Sequence, residues 1–129
     1  MYSIVEKGAC LVKIAEVSKL YDISADTLRY YERVGLIPPI QRNTGGIREY
    51  SEDDLKRIEF VKCMRRAGLS IDSLVTYFEL LDDGEETYEE RHELLLAEKQ
   101  KIEQRISEMQ TSLDLLNRKI EGYEKRRSK

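Results

Sequence analysis

The chain is poor in the residues that build metal sites and disulfides. Its 129 residues include two cysteines, Cys10 and Cys63, and one histidine, His92. The cysteines lie far apart and form no C-x-x-C arrangement, and one histidine makes no ligand cluster. No stretch approaches the ~20 apolar residues needed to span a bilayer. Leu94-Leu95-Leu96 is too short, and the N-terminus lacks the apolar core of a signal peptide. These absences predict a cytoplasmic chain with no membrane partner, where a structural disulfide is not expected. No nucleophile–base pair, phosphate loop or metal cluster is present, so neither an enzyme nor a bound cofactor is expected. A basic surplus is missing as well: net charge is −3, unusual for a protein that binds nucleic acid.

The charge is unevenly spread, however, and local potential matters more than the total. Acids crowd Asp82-Asp83-Gly84-Glu85-Glu86 and Glu89-Glu90, while cations punctuate residues 29–66. Overlapping the start of that span, Ser24 to Leu36 reads as a short helix. Ser24 is an N-cap hydroxyl, Leu28, Tyr31 and Val34 recur at helical spacing, and Gly35 ends it. Thr27, Arg29, Tyr30 and Arg33 point elsewhere, and all four can hydrogen-bond to phosphate or base edges. Before it, Ile14, Val17 and Leu20 mark a two-turn helix, and Tyr21-Asp22-Ile23 makes a short break. The pair reads as a helix-turn-helix, whose second helix lies in the major groove; a solvated helical hairpin is the plainer alternative.

Both prolines, Pro38 and Pro39, forbid further helix. Ile40-Gln41-Arg42, the turn Asn43-Thr44-Gly45-Gly46 and Ile47-Arg48-Glu49-Tyr50 then read as a β-hairpin. Carrying Arg42 and Arg48, it is the right size for a wing beside a recognition helix.

Thr27-Leu28-Arg29-Tyr30-Tyr31-Glu32, Gly35-Leu36-Ile37, Arg48-Glu49-Tyr50 and Asp54-Leu55 together resemble the DNA-binding domain of MerR-family transcriptional regulators. The resemblance runs from about Val12 to Leu81. It implies a mainly α fold: a winged helix-turn-helix with a small β-hairpin wing, a helical pair, and a long antiparallel coiled-coil dimerisation helix. The implied domains are an N-terminal extension at 1–11, the DNA-binding domain at 12–82, and the dimerisation helix and tail at 83–129. It also implies a homodimer on double-stranded promoter DNA, distorting an overlong spacer so that RNA polymerase engages both promoter elements. Carried over by position, the DNA contacts are Thr27, Arg29 and Tyr30 on the recognition helix, Arg42, Arg48 and Tyr50 on the wing, and Arg57 on the next helix.

Ser51 and the acids Glu52-Asp53-Asp54 open that next helix, which runs to Ala67 with Gly68 as its stop. Ser70 caps another from Ile71, carrying Leu74, Tyr77, Phe78 and Leu81. From Thr87 to Tyr123 the chain has no proline and reads as one long helix. Leu95, Ile102, Met109, Leu116 and Tyr123 recur every seventh residue, with Ile106, Leu113 and Ile120 interleaved. That heptad seam requires a partner helix, and the resemblance implies an antiparallel one from an identical chain. His92 and Lys99 occupy early seam positions, so the seam is strongest from Ile102 onward.

Metal-sensing members of the family carry cysteines after the long helix; Asn117 to Lys129 contain none. Cys63 falls opposite Val61 at ~100° per residue, toward Lys56, Glu59, Arg66 and Ala67. It reads either as a small packing residue or as a sensor. Ile58-Glu59-Phe60-Val61-Lys62-Cys63-Met64-Arg65 resembles the NmlR/AdhR-like group, which places a cysteine here and is associated with reactive aldehydes and other electrophiles. Two alternatives stay open: a regulator gated by a small non-covalent ligand at the dimer interface, and a coiled-coil scaffold whose winged domain binds protein.

Overall fold

A computed structural model describes residues 11–128, so Cys10 and nearly all of the expected N-terminal extension lie outside the described residues. The chain runs β1 (Val12–Lys13), α1 (Ile14–Tyr21), α2 (Ala25–Arg33), β2 (Glu49–Tyr50), α3 (Glu52–Ala67), α4 (Ile71–Asp83), a 3₁₀ turn (Glu85–Thr87) and α5 (Tyr88–Arg127). It divides into two compact units, one ending at Thr87 and the other beginning at Tyr88.

In the first unit, hydroxyl caps set the helix starts. The Ser24 hydroxyl accepts the Thr27 amide at the head of α2, and Ser70 accepts the Ser73 amide at the head of α4. At α3 the bond is reciprocal: Ser51 Oγ accepts the Asp54 amide at 3.2 Å while the Asp54 carboxylate accepts the Ser51 amide at 2.9 Å. Asp22, at φ 55°, makes the sharp turn between α1 and α2, and Gly68, at φ 105°, ends α3 where a side chain would be strained.

The core of this unit gathers one face of each helix. Val17 of α1, Leu28 of α2, Ile58 and Val61 of α3 and Leu74 of α4 are buried, with Leu36, Ile37 and Leu69 from the connections. On the α3–α4 side, Phe78 meets Phe60 edge-on at 6.0 Å and Tyr77 at 5.3 Å.

The wing is the expected antiparallel hairpin, with an additional pairing at its second arm. Its arms meet at the antiparallel bridge Arg42↔Arg48, with the Glu49 amide donating to Gln41 O at 2.8 Å. The Asn43 amide donates to Ile47 O at 2.9 Å. The ladder of β2, however, is with β1, Val12 opposite Tyr50 and Lys13 opposite Glu49. A pair of two-residue strands is too short to show a periodicity, which is why β1 is not visible in the sequence.

The second unit is the single helix α5, about 60 Å long at ~1.5 Å per residue. Its seam residues Ile106, Met109, Leu113, Leu116, Ile120 and Tyr123 are all exposed in the isolated chain, Met109 by 71%. Among the described residues, no helix is long and apolar enough to cross a membrane.

Candidate nucleic-acid interface

Helix α2 separates its two faces sharply. Leu28 and Tyr31 are buried, while Asp26, Arg29, Tyr30 and Arg33 are exposed and Thr27 is half-buried beside them. The short polar side chains here hold one another in place. Ser24 Oγ donates to Thr27 Oγ1 at 2.9 Å while accepting the Thr27 amide at 3.0 Å. Arg29 Nη1 pairs with Asp26 at 2.9 Å, an exposed i,i+3 bridge that restrains the guanidinium and contributes little to stability. The Arg33 guanidinium lies 5.3 Å from the centre of the Tyr30 ring. Two cations and a phenol thus share one solvent-facing helix surface, a set of donors suited to phosphate and base edges.

Beyond the prolines the wing presents Arg42, exposed, whose Nη1 donates to Gly46 O at 3.1 Å across the turn. The turn itself is built by Asn43. Its Oδ1 accepts the Gly45 amide at 2.8 Å and the Ile47 amide at 3.1 Å, and its Nδ2 donates to Glu49 at 3.4 Å. Gly46 takes φ 80°, which the tight turn requires. Arg48 is half-buried, and its Nε donates to Glu32 Oε1 at 2.8 Å. The other carboxylate oxygen of Glu32 accepts the Ile40 amide at 3.1 Å. Glu32 is a functional candidate with no local signature in the sequence, since its partners lie 8 and 16 residues away.

Two residues expected on the DNA surface sit elsewhere. Tyr50 is a core residue with 0% exposure, and burial raises its phenol above the ordinary value. Arg48 and Arg29 nearby pull it down, and Glu32 and Asp54 push it up, by smaller amounts. Arg57 is half-buried and points inward: its Nε donates to Leu36 O at 3.0 Å and its guanidinium stacks 3.8 Å from the centre of the Phe78 ring. Burial lowers its pKa, with Asp82 and Asp54 opposing the shift. Arg57 therefore fastens the end of the reading segment to the α3–α4 core.

Cys63 is exposed on α3, away from buried Ile58 and Val61. His92 lies 6.4 Å from Tyr88, ring centre to ring centre, on α5. Among the described residues, no group of three or more His, Cys, Asp or Glu side chains is placed to hold a metal ion.

Residues 12–81 match the MerR HTH family regulatory protein family, and residues 55–119 match the family described as MerR, DNA binding. The chain is 53% identical over 91 residues to the HTH-type transcriptional regulator AdhR of Bacillus subtilis (strain 168), spanning 70% of this chain and 65% of that protein's length. A solved structure of a MerR family transcriptional regulator from Listeria monocytogenes matches with a TM-score of 0.84 at 49% identity, over 88% of this chain and 86% of that one. A second structure, HiNmlR, a MerR family regulator lacking the sensor domain and bound to promoter DNA, matches with a TM-score of 0.80. It is 30% identical, over 89% of this chain and 91% of that one.

Proposed function

The chain belongs to the MerR family of DNA-binding transcriptional regulators, and we propose that it works as a homodimer that distorts promoter spacer DNA to control transcription. The observation that carries this reading is the surface formed by the exposed face of α2 and the wing. Arg29, Tyr30 and Arg33 present donors from a helix whose opposite face is locked into a core, and Arg42 extends that set along the wing. A rigid helix can enter a major groove while the wing follows the backbone beside it.

One such helix reads only a few base pairs, so a second copy is needed to span a promoter element. The exposed apolar stripe of α5 supplies the means, because six apolar side chains at heptad spacing gain most by burial against an equivalent helix. Two reading helices held at fixed separation impose a shape on the DNA between them. RNA polymerase is the partner that reads that shape, and the cytoplasm is where the complex acts. The similarity to AdhR, together with the exposure of Cys63, supports a sensory role for this thiol toward reactive aldehydes or other electrophiles.

The test is footprinting on the promoter of the chain's own genomic neighbourhood, with and without an added aldehyde, paired with transcription from that promoter. The expected result is protection of a two-fold symmetric site whose occupancy weakens as salt rises. Cys63→Ala should keep that footprint and lose the aldehyde-dependent change in transcription. An unchanged response in the variant removes Cys63 as the sensor, and the absence of salt-sensitive protection removes the DNA reading.

A further inference from the structure

An acid on a surface meant for phosphate needs a reason. Glu32 lies on the reading helix with its side chain 16% exposed, paired to an Arg48 side chain that is 20% exposed. Its two oxygens do different things: Oε1 accepts Arg48 Nε at 2.8 Å and Oε2 accepts the Ile40 amide at 3.1 Å. Ile40 opens the first arm of the wing and Arg48 lies in the second, opposite Arg42, so one carboxylate holds both arms to the reading helix. On either side of Arg48 the arms are joined to each other, by the Glu49 amide to Gln41 O toward the base and by the Asn43 amide to Ile47 O toward the tip. Holding one residue of each joined arm therefore fixes the direction of the hairpin relative to α2.

Arg42 and Arg48 face each other at an antiparallel bridge. Residues directly opposite in an antiparallel pair project to the same face, and like charges there repel. Glu32 supplies the missing anion for Arg48, at a half-buried site where its attraction is little screened. The grip uses Nε alone. The two Nη nitrogens, which carry the donors that approach phosphate side by side, stay at the far end of the fork.

We propose that Glu32 is a positioning residue for DNA recognition: by holding Arg48 and the Ile40 amide together, it sets the angle between reading helix and wing so that both engage one duplex. The proposal rests on the DNA-binding reading above and adds to it a specificity device with an unusual sign. Removing a negative charge from a DNA-facing surface strengthens binding when only the long-range field matters. Glu32→Gln should instead weaken specific binding. A glutamine side chain offers one acceptor oxygen where Glu32 uses two, and its amide donors face the Ile40 amide or the guanidinium.

The experiment measures wild type, Glu32→Gln, Arg48→Ala and the double variant on two duplexes of equal length. One is selected by the wild-type chain from a random-sequence pool; the other is an unselected random duplex. Glu32→Gln is expected to bind the selected duplex roughly tenfold more weakly, the size of one charged hydrogen bond, and the random duplex as well as or better than wild type. In the Arg48→Ala background the same change should lose most of its effect. Thermal unfolding of each variant separates this from loss of folded protein, which lowers binding to both duplexes by one common factor. Binding of both duplexes by Glu32→Gln with an unchanged ratio overturns the positioning role and leaves the DNA reading intact. Failure of the wild-type chain to enrich any duplex overturns the DNA reading, and this proposal with it.

Discussion

The Tyr50 hydroxyl has no hydrogen-bond partner among the described residues, although its ring is fully buried. An unpaired buried hydroxyl is destabilising, and an ionised one more so. Tyr50→Phe removes the polar atom and keeps the ring, so it should stabilise the unit by about 1 kcal/mol, measured by urea unfolding at neutral pH. The pH dependence follows from the raised phenol. Its folded pKa lies above the unfolded one, so its favourable contribution is complete below about pH 10 and is lost as pH rises through the folded value. The variant should therefore resist alkaline unfolding better than wild type. Equal alkaline midpoints would show that Tyr50 does not govern that transition. Tyr21 shifts the same way, through burial and then Glu59, and remains in the variant to set the residual alkaline loss. Tyr50 is expected on the DNA-facing wing because the family resemblance carries Arg48-Glu49-Tyr50 there by position. Its inward orientation depends on the pairing of β2 with Val12–Lys13, a contact from the opposite end of the unit.

Among elements, the helices were the readable part. Ser24, Ser51 and Ser70 each announce a start, and each accepts the amide three residues on. Gly68 announces a stop because an L side chain is strained at its φ. The face of α3 was legible too: Ile58 and Val61 are buried and Cys63 is exposed, as ~100° per residue requires. The inward turn of Arg57 was not, because Leu36 O and Phe78 come from distant segments and carry no local signature. The wing was legible as a turn and less so as a ladder. Its shape depends on Asn43, whose side chain makes three of the bonds that organise the tip. Asn43→Ala should leave the helical core nearly as stable, with a loss below about 1 kcal/mol, since the tip is exposed. It should weaken binding to the selected duplex by roughly fivefold, because ordering the tip then falls to the binding step. A circular-dichroism melt and a binding titration on the same sample check both halves.

At the scale of the whole molecule, the long helix is the element that a single chain leaves unsatisfied. Apolar side chains from Ile106 to Tyr123 face solvent at intervals that suit a partner helix. The double substitution Leu113→Glu/Leu116→Glu places carboxylates in that seam. Burying an unpaired carboxylate costs several kcal/mol, so self-association should weaken by roughly a hundredfold or more. Sedimentation should then report the mass of one chain where wild type reports two, and binding to the selected duplex should fall with it. A variant that sediments like wild type would exclude this stripe as the joint. The seam was legible because a heptad repeat records its partner in spacing alone, whereas the grip of Glu32 records nothing in spacing and emerged only from the fold.

The short ladder between β1 and β2 has a consequence for how the reading unit comes apart. By pairing Val12 with Tyr50 and Lys13 with Glu49, it ties the two ends of one chain loop that contains α1, α2 and the wing. A loop tied in this way opens as a single circuit, so the amides of Tyr50 and of the segment after α2 should exchange with solvent together. The knot that keeps the reader in shape is therefore fastened at the far end of the circuit, by two residues that come before its first helix.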